Sequence, residues 1–261
     1  YSTGYTSLWN SLGMMIETHM LKPYDQRVRG TYELLRSMID IADEDSELIR
    51  KLRKQDLQGF QSKDNFAFDF QVDSTRTSSL NFLGYEADRI ESEVTGFERL
   101  KYDTTRPFTK EVVYYDSFKP ARQVKVPQGY IIPQGWWQVL ELLELNEVEM
   151  VPFEKDTSMV VEAYRIKDYK TSNSPYEGHY PHSDVTAEPF DVNVDIRKGD
   201  VFVPIKQKAA KYLLATLEPE APDSFFTWNF FDSVLQQKEH FSPYVFEDVA
   251  RELLDDYPEL E

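Results

Sequence analysis

At Asn65 the hydrophobic pattern of the chain changes from helical to alternating, and that change limits what the polypeptide can become. Ahead of it, Val28, Tyr32, Leu35 and Ile39 recur at spacings of four, three and four just past Pro23, which makes one apolar stripe on a helix. Beyond it, Phe66, Phe68, Phe70 and Val72 alternate with Ala67, Asp69 and Gln71, the pattern of a half-buried strand with one aromatic face. Helices followed by a strand-rich stretch point to an α+β protein.

The remaining elements follow from the same periodicities. A second helix starts at the acidic break Asp43-Glu44-Asp45 and carries Leu48, Leu52 and the cluster Arg50, Lys51, Arg53, Lys54 toward its end, as the helix dipole prefers. Strands are predicted over Glu111 to Tyr115 and Met159 to Ile166. Val192, Val194 and Ile196, the turn Arg197-Lys198-Gly199-Asp200 and Val201-Phe202-Val203 read as a hairpin. Tyr130 to Pro133, a helix bearing Trp136, Val139, Leu140 and Leu143, and Val148 to Phe153 form a strand-helix-strand unit. Pro175, Pro181, Pro189 and Gly178 predict a long exposed loop from Lys167 to Pro189. Two helices close the chain, one with Ala210, Leu213, Leu214 and Leu217, the other with Phe246, Val249, Ala250 and Leu253 behind Ser242-Pro243. Between them Phe225-Phe226-Thr227-Trp228-Asn229-Phe230-Phe231 is too aromatic for a free loop and should be buried or bound.

Charge and composition remove several functions. The formal charge of -17 over 261 residues repels phosphate backbones and anionic headgroups, which argues against nucleic acid and membrane surfaces as partners. No stretch approaches the roughly 20 apolar residues of a membrane span. Without cysteine there are no disulfides, thiolate zinc sites or cysteine nucleophiles. Gly-x-Ser-x-Gly, P-loop and dinucleotide glycine patterns are missing, and carboxylate pairs among 46 acids carry no specific glycosidase signal. The four histidines, His19, His179, His182 and His240, show no His-x-x-Glu or His-Glu-x-x-His spacing; the close pair His179 and His182 reads as two exposed loop histidines.

Glu17 stands out by position. A short helix to about Leu12 and then a buried strand from Met14 to Thr18 place its carboxyl beside Met14, Met15 and Ile16. A carboxylate there is either a desolvated general base or one half of an ion pair with Lys22, Arg27 or Arg29, and both readings stand.

The run Ser2 to Tyr24, containing Gly13-Met14-Met15-Ile16-Glu17-Thr18-His19-Met20-Leu21-Lys22-Pro23-Tyr24, resembles the end of the catalytic domain of a bacterial, Bacteroidetes-type zinc metallocarboxypeptidase related to carboxypeptidase A. Tyr130 to Trp136, Ala221 to Phe226 and Trp228 to Phe231 resemble the C-terminal part of such proteins. The resemblance implies that residues 1-61 are the end of an α/β peptidase domain with a helical extension. Residues 62-261 are then a β-rich, sandwich-like accessory domain with C-terminal helices. It implies that Glu17 is the catalytic glutamate that takes a proton from zinc-bound water, and that Tyr5 is the tyrosine closing on the substrate's terminal carboxylate. Zinc is then the cofactor of the full-length parent and a peptide its substrate. The family's zinc ligands precede the glutamate, His19 matches none of them, and no metal is expected in this chain, which alone should be inactive. The first residue, Tyr1, is not Met, so the start is expected to be processed or truncated. The same resemblance suggests a periplasmic or extracellular location and a homo-oligomer through the apolar N-terminal segment. The alternative is a non-catalytic binding module using residues 225-231.

Overall fold

The computed structural model describes residues 2-20, 22-60, 63-236 and 242-260. Helices and small antiparallel sheets alternate along the chain, an α+β protein. Three helices come first: α1 (Ser2–Leu8), α2 (Tyr24–Glu44) and α3 (Ser46–Phe60). The helix predicted after Pro23 is α2, with Pro23 as the residue before its first turn. It buries no residue, so its stripe of Val28, Tyr32, Leu35 and Ile39 faces outward. The cations Arg50 to Lys54 lie in the middle of α3 rather than at its end, because the helix runs on to Phe60.

The alternating stretch is β1 (Asn65–Val72), antiparallel to β4 (Phe118–Lys125); between them β2 (Ser78–Glu91) pairs with β3 (Glu98–Tyr114). Asp73 N–H donates to Ser117 O at 2.9 Å and the Ser78 hydroxyl to Asp116 Oδ2 at 2.6 Å, so the two pairs run on as one long ribbon. At about 3.4 Å per residue, its outer part, β2 with β3, extends over about 45 Å. That part makes no extensive contact with another described element, and Leu83 and Phe97 on it are 76% exposed.

The core surrounds a three-stranded sheet in the order β5 (Gly129–Ile132), β9 (Val201–Pro204), β6 (Val151–Pro152). Helix α4 (Trp137–Leu145) links β5 to β6, and β9 lies between them, antiparallel to both. The strand-helix-strand unit is therefore present, split by a third strand, and its second strand is shorter than Val148 to Phe153. α5 (Ala210–Leu217) covers the sheet, with Leu213 and Leu214 fully buried as the sequence pattern indicates. Val139, Leu143, Val203 and Phe225 complete the cluster, and Phe60 from α3 joins it with the half-buried Leu8 and Trp9. The strands form three two-stranded ribbons and this one sheet, in place of two broad facing sheets.

Three local expectations are corrected. Met14 to Thr18 is not a strand: the segment is irregular, and Met14 and Met15 are each 58% exposed. No described strand lies beside it, and a lone strand leaves its backbone groups unpaired. Residues 192-196 and 201-203 do not form a hairpin. β8 (His182–Ile196) is paired along its length with β7 (Thr157–Thr171), and β9 already has a partner on each edge. Gly199 at φ +96° and the Asp200 carboxylate, which accepts Arg197 N–H at 2.8 Å, turn the chain out of one sheet into the other. The long loop shrinks to residues 172-181, because β7 and β8 extend into it. Pro189 sits opposite Tyr164 in β8, an edge strand where a missing N–H is tolerated.

The second terminal helix is α6 (Pro243–Asp256), entered through Ser242 with proline in its first turn. No described helix is long and apolar enough to cross a membrane.

Candidate functional site

Residues 9-20 link α1 to α2 and are held from one side. Arg53 Nε donates to Asn10 O at 2.7 Å, its Nη2 to Ser11 Oγ at 3.3 Å, and Lys211 Nζ to Asn10 Oδ1 at 2.7 Å. A Cβ at Gly13 would fall 2.1 Å from Thr6 Oγ1, so the chain folds back against α1 only with glycine there. Glu17 follows on the exposed part of this segment. The burial expected of it is not found, because the strand that would have supplied it is not formed. Nor does the ion pair form: among the described residues the Glu17 carboxylate has no salt bridge with Lys22, Arg27 or Arg29.

Beside it lies a hollow of about 420 Å³ lined by Thr18, Tyr24, Arg27, Thr31, Tyr32 and Leu35. The Arg27 guanidinium stands over the Tyr24 ring at 5.6 Å, and its Nε is buried without a hydrogen-bond partner. A buried donor of this kind costs free energy while it lacks an acceptor, and the guanidinium lends the hollow a positive charge. Arg27 entered the sequence reading only as a partner for Glu17; its spacing on α2 holds no sign of the hollow.

Tyr5 is placed elsewhere. Its hydroxyl donates to Asn146 Oδ1 at 2.7 Å, while Asn146 Nδ2 donates to Leu142 O at 2.7 Å and to the Tyr212 hydroxyl at 3.2 Å. Trp9 stacks on Tyr212 with centroids 5.6 Å apart. Burial, with Tyr5 and Asp223 nearby, pushes the Tyr212 phenol up to about 12. This cluster docks α1 on α4 and α5. Tyr5 and Glu17 share no partner in it.

The histidine pair separates. His182 is 5% exposed, contrary to the expectation of an exposed loop residue, because it begins β8 against the aromatic segment. Its Nδ1 lies 3.0 Å from Thr171 Oγ1 and its Nε2 3.0 Å from Asp232 Oδ1. With its proton on Nε2, the ring donates to the carboxylate and accepts from the hydroxyl at Nδ1. Tyr169 and Phe226 close over the ring at 4.7 and 5.0 Å. His179 instead stacks on Phe230, with centroids 6.1 Å apart. Phe225 and Phe226 are 6% and 3% exposed, so this part of the aromatic segment serves as core, and the half-buried Trp228 to Phe231 border it. His240 lies outside the described residues.

One polar centre has no sequence signature. Glu218, 3% exposed, accepts the Tyr130 hydroxyl at 2.5 Å and the Tyr164 hydroxyl at 2.9 Å. Burial pushes its carboxyl up, against the lowering pull of the two hydroxyls, and burial also raises both tyrosines. Glu218 thereby ties the end of α5 to β5 and β7. Among 46 acidic residues, nothing in Leu217-Glu218-Pro219 distinguishes it.

Comparisons with known proteins add no relative: no family model, no curated protein and no solved structure matches the chain.

Proposed function

We propose that this chain is part of a zinc metallocarboxypeptidase, with Glu17 as the group that takes and returns the proton during hydrolysis of a peptide's C-terminal bond. The sequence run from Ser2 to Tyr24 carries this reading, and the observation that supports it is the uncommitted Glu17 carboxylate, exposed and without an ion pair despite three cations close in sequence. A carboxylate spent on a salt bridge is a poor proton acceptor; an unpaired one becomes a general base once bound substrate excludes water from it. The neighbouring hollow fits the substrate class, since the Arg27 guanidinium among its lining residues offers a positive charge to a peptide's terminal carboxylate.

Zinc does not fit the described residues: no group of three or more His, Asp or Glu side chains among them is placed to hold a metal ion. The ion belongs, on this reading, to residues other than those described, and Tyr5, spent on Asn146, serves in docking α1 rather than in closing on substrate. The peptide as substrate, the division at residues 61 and 62, oligomerisation through the N-terminal segment with Leu8, Leu12, Met14 and Ile16, and a periplasmic or extracellular location are parts of the same proposal.

The test is release of C-terminal amino acids from N-blocked peptides, followed by mass spectrometry with zinc present. The expected result is no release by this chain alone and release by the full gene product that carries it, lost in E17Q with folding unchanged. Undiminished release by the E17Q gene product would overturn the assignment.

A further inference from the structure

The C-terminal helix α6 is amphipathic, and its apolar side is exposed among the described residues. Val245, Val249 and Leu253 recur at four-residue spacing along one side and are 56%, 56% and 50% exposed, and the helix buries no residue. A helix that presents such a stripe to water is stabilised by a second surface. Its charge is one-sided, with Arg251 alone against Glu247, Asp248, Glu252, Asp255 and Asp256. None of these carboxylates forms a salt bridge among the described residues. Asp255 and Asp256 lie in the last turn, where the helix dipole is negative and no basic side chain offsets them. The helix therefore calls for an apolar surface edged with cations.

Among the described residues, such a surface lies along α3. Around the end of α3, a hollow of about 560 Å³ is lined by Leu8, Phe60, Lys63, Phe66 and Lys211. A second, of about 660 Å³, shares Phe60 and Lys63 and adds Val126, Phe202 and Lys206. A third, of about 420 Å³, lies one turn back along α3 between Trp9, Leu57, Lys54 and Lys208. Leu57 and Phe60 are three residues apart on one helix face, so the hollows line up along α3. Lys54, Lys63, Lys206 and Lys208 are exposed and make no salt bridge among the described residues, in a chain of net charge -17. Asp64 and Asp223 also line the two larger hollows but are outnumbered by the ammonium groups, so apolar floor and net-positive rim complement an acidic helix with an exposed apolar stripe in both terms that helix-in-groove recognition uses.

We propose that α6 of one copy lies in this lysine-rimmed trough of a second copy, and that the two-fold exchange builds a homodimer. Val245, Val249 and Leu253 enter the hollows beside Phe60, and the carboxylates of α6 meet Lys63, Lys206 and Lys208. The contact is isologous, so each copy gives one helix and receives one. This inference does not rest on the peptidase reading.

Sedimentation velocity of the full chain over a hundredfold concentration range at low and high salt tests it. The expected result is a monomer-dimer equilibrium that weakens at least tenfold at high salt and at least tenfold in V249E/L253E, both surface changes that leave the core intact. K63E/K206E should weaken dimerisation likewise, and mixing it with E252K/D256K should restore a heterodimer. A monomer at every concentration at low salt overturns the proposal, including the case in which α6 docks on its own chain. So does a dimer that V249E/L253E leaves unchanged but M14E/M15E dissolves, which would place the contact on the N-terminal segment.

Discussion

The Tyr130 hydroxyl on β5 donates to the Glu218 carboxylate at 2.5 Å, and Tyr164 on β7 donates to its other oxygen at 2.9 Å. One buried acid thereby joins the small central sheet to the β7-β8 ribbon. Because burial raises the Glu218 carboxyl, the folded chain holds its proton more tightly than the unfolded chain. The stabilisation is complete below the unfolded carboxyl value and is lost as pH rises through the folded one. Urea unfolding from pH 4.5 upward should show this decline, and E218Q should flatten it. Tyr164→Phe, which removes a donor from a buried carboxylate, should cost about 2 kcal/mol.

Gly129 opposes Pro204 at the start of β5, where a Cβ would meet Val203 O and the Phe202 ring, each at 2.6 Å. Backbone oxygen cannot yield without breaking the β5-β9 pairing. Gly129→Ala should therefore destabilise by about 1–3 kcal/mol, read as a lowered urea midpoint with an unchanged slope.

His182 holds the 172-181 connection to the aromatic segment through Thr171, Asp232 and the tilted Phe226 ring. Replacing it with alanine empties a buried site and leaves Asp232 with Asn229 as its remaining side-chain partner. A loss of about 2–4 kcal/mol is expected, with amide hydrogen exchange accelerating first in residues 172-181 and 224-231. Uniform acceleration across α5 instead would contradict the local role.

Glu17 carries no structural contact of that kind. E17Q should change unfolding free energy by no more than about 0.5 kcal/mol, the range of exposed substitutions. A larger loss would mean that the carboxylate is spent on the fold, and the proposed proton acceptor would lose its main support.

The elements legible in the sequence are those whose periodicity is local. The stripe Val28 to Ile39, the alternation Phe66 to Val72 and the buried face of Leu213 and Leu214 each lie within one element, and the helix or strand forms where the spacing indicates, although Phe70 and Val72 on the aromatic face of β1 are exposed. Ser242-Pro243 likewise marks the start of α6 from first-turn geometry alone. The site was less legible. Glu17 stands out by its apolar neighbours, yet Met14 and Met15 are exposed and Ile16 is only half-buried, since a strand needs a paired neighbour and none is described beside it.

Sequence alone determined the α+β composition, the positions of the longer helices and the strongly acidic surface, because propensity, hydrophobic period and charge are properties of short stretches. Tertiary structure alone decided which strand pairs with which, that His182 and Glu218 are buried, and that Arg27 lines a hollow. Those outcomes depend on groups up to 88 residues apart, as Tyr130 and Glu218 are, and no local pattern records which distant surface a side chain will meet.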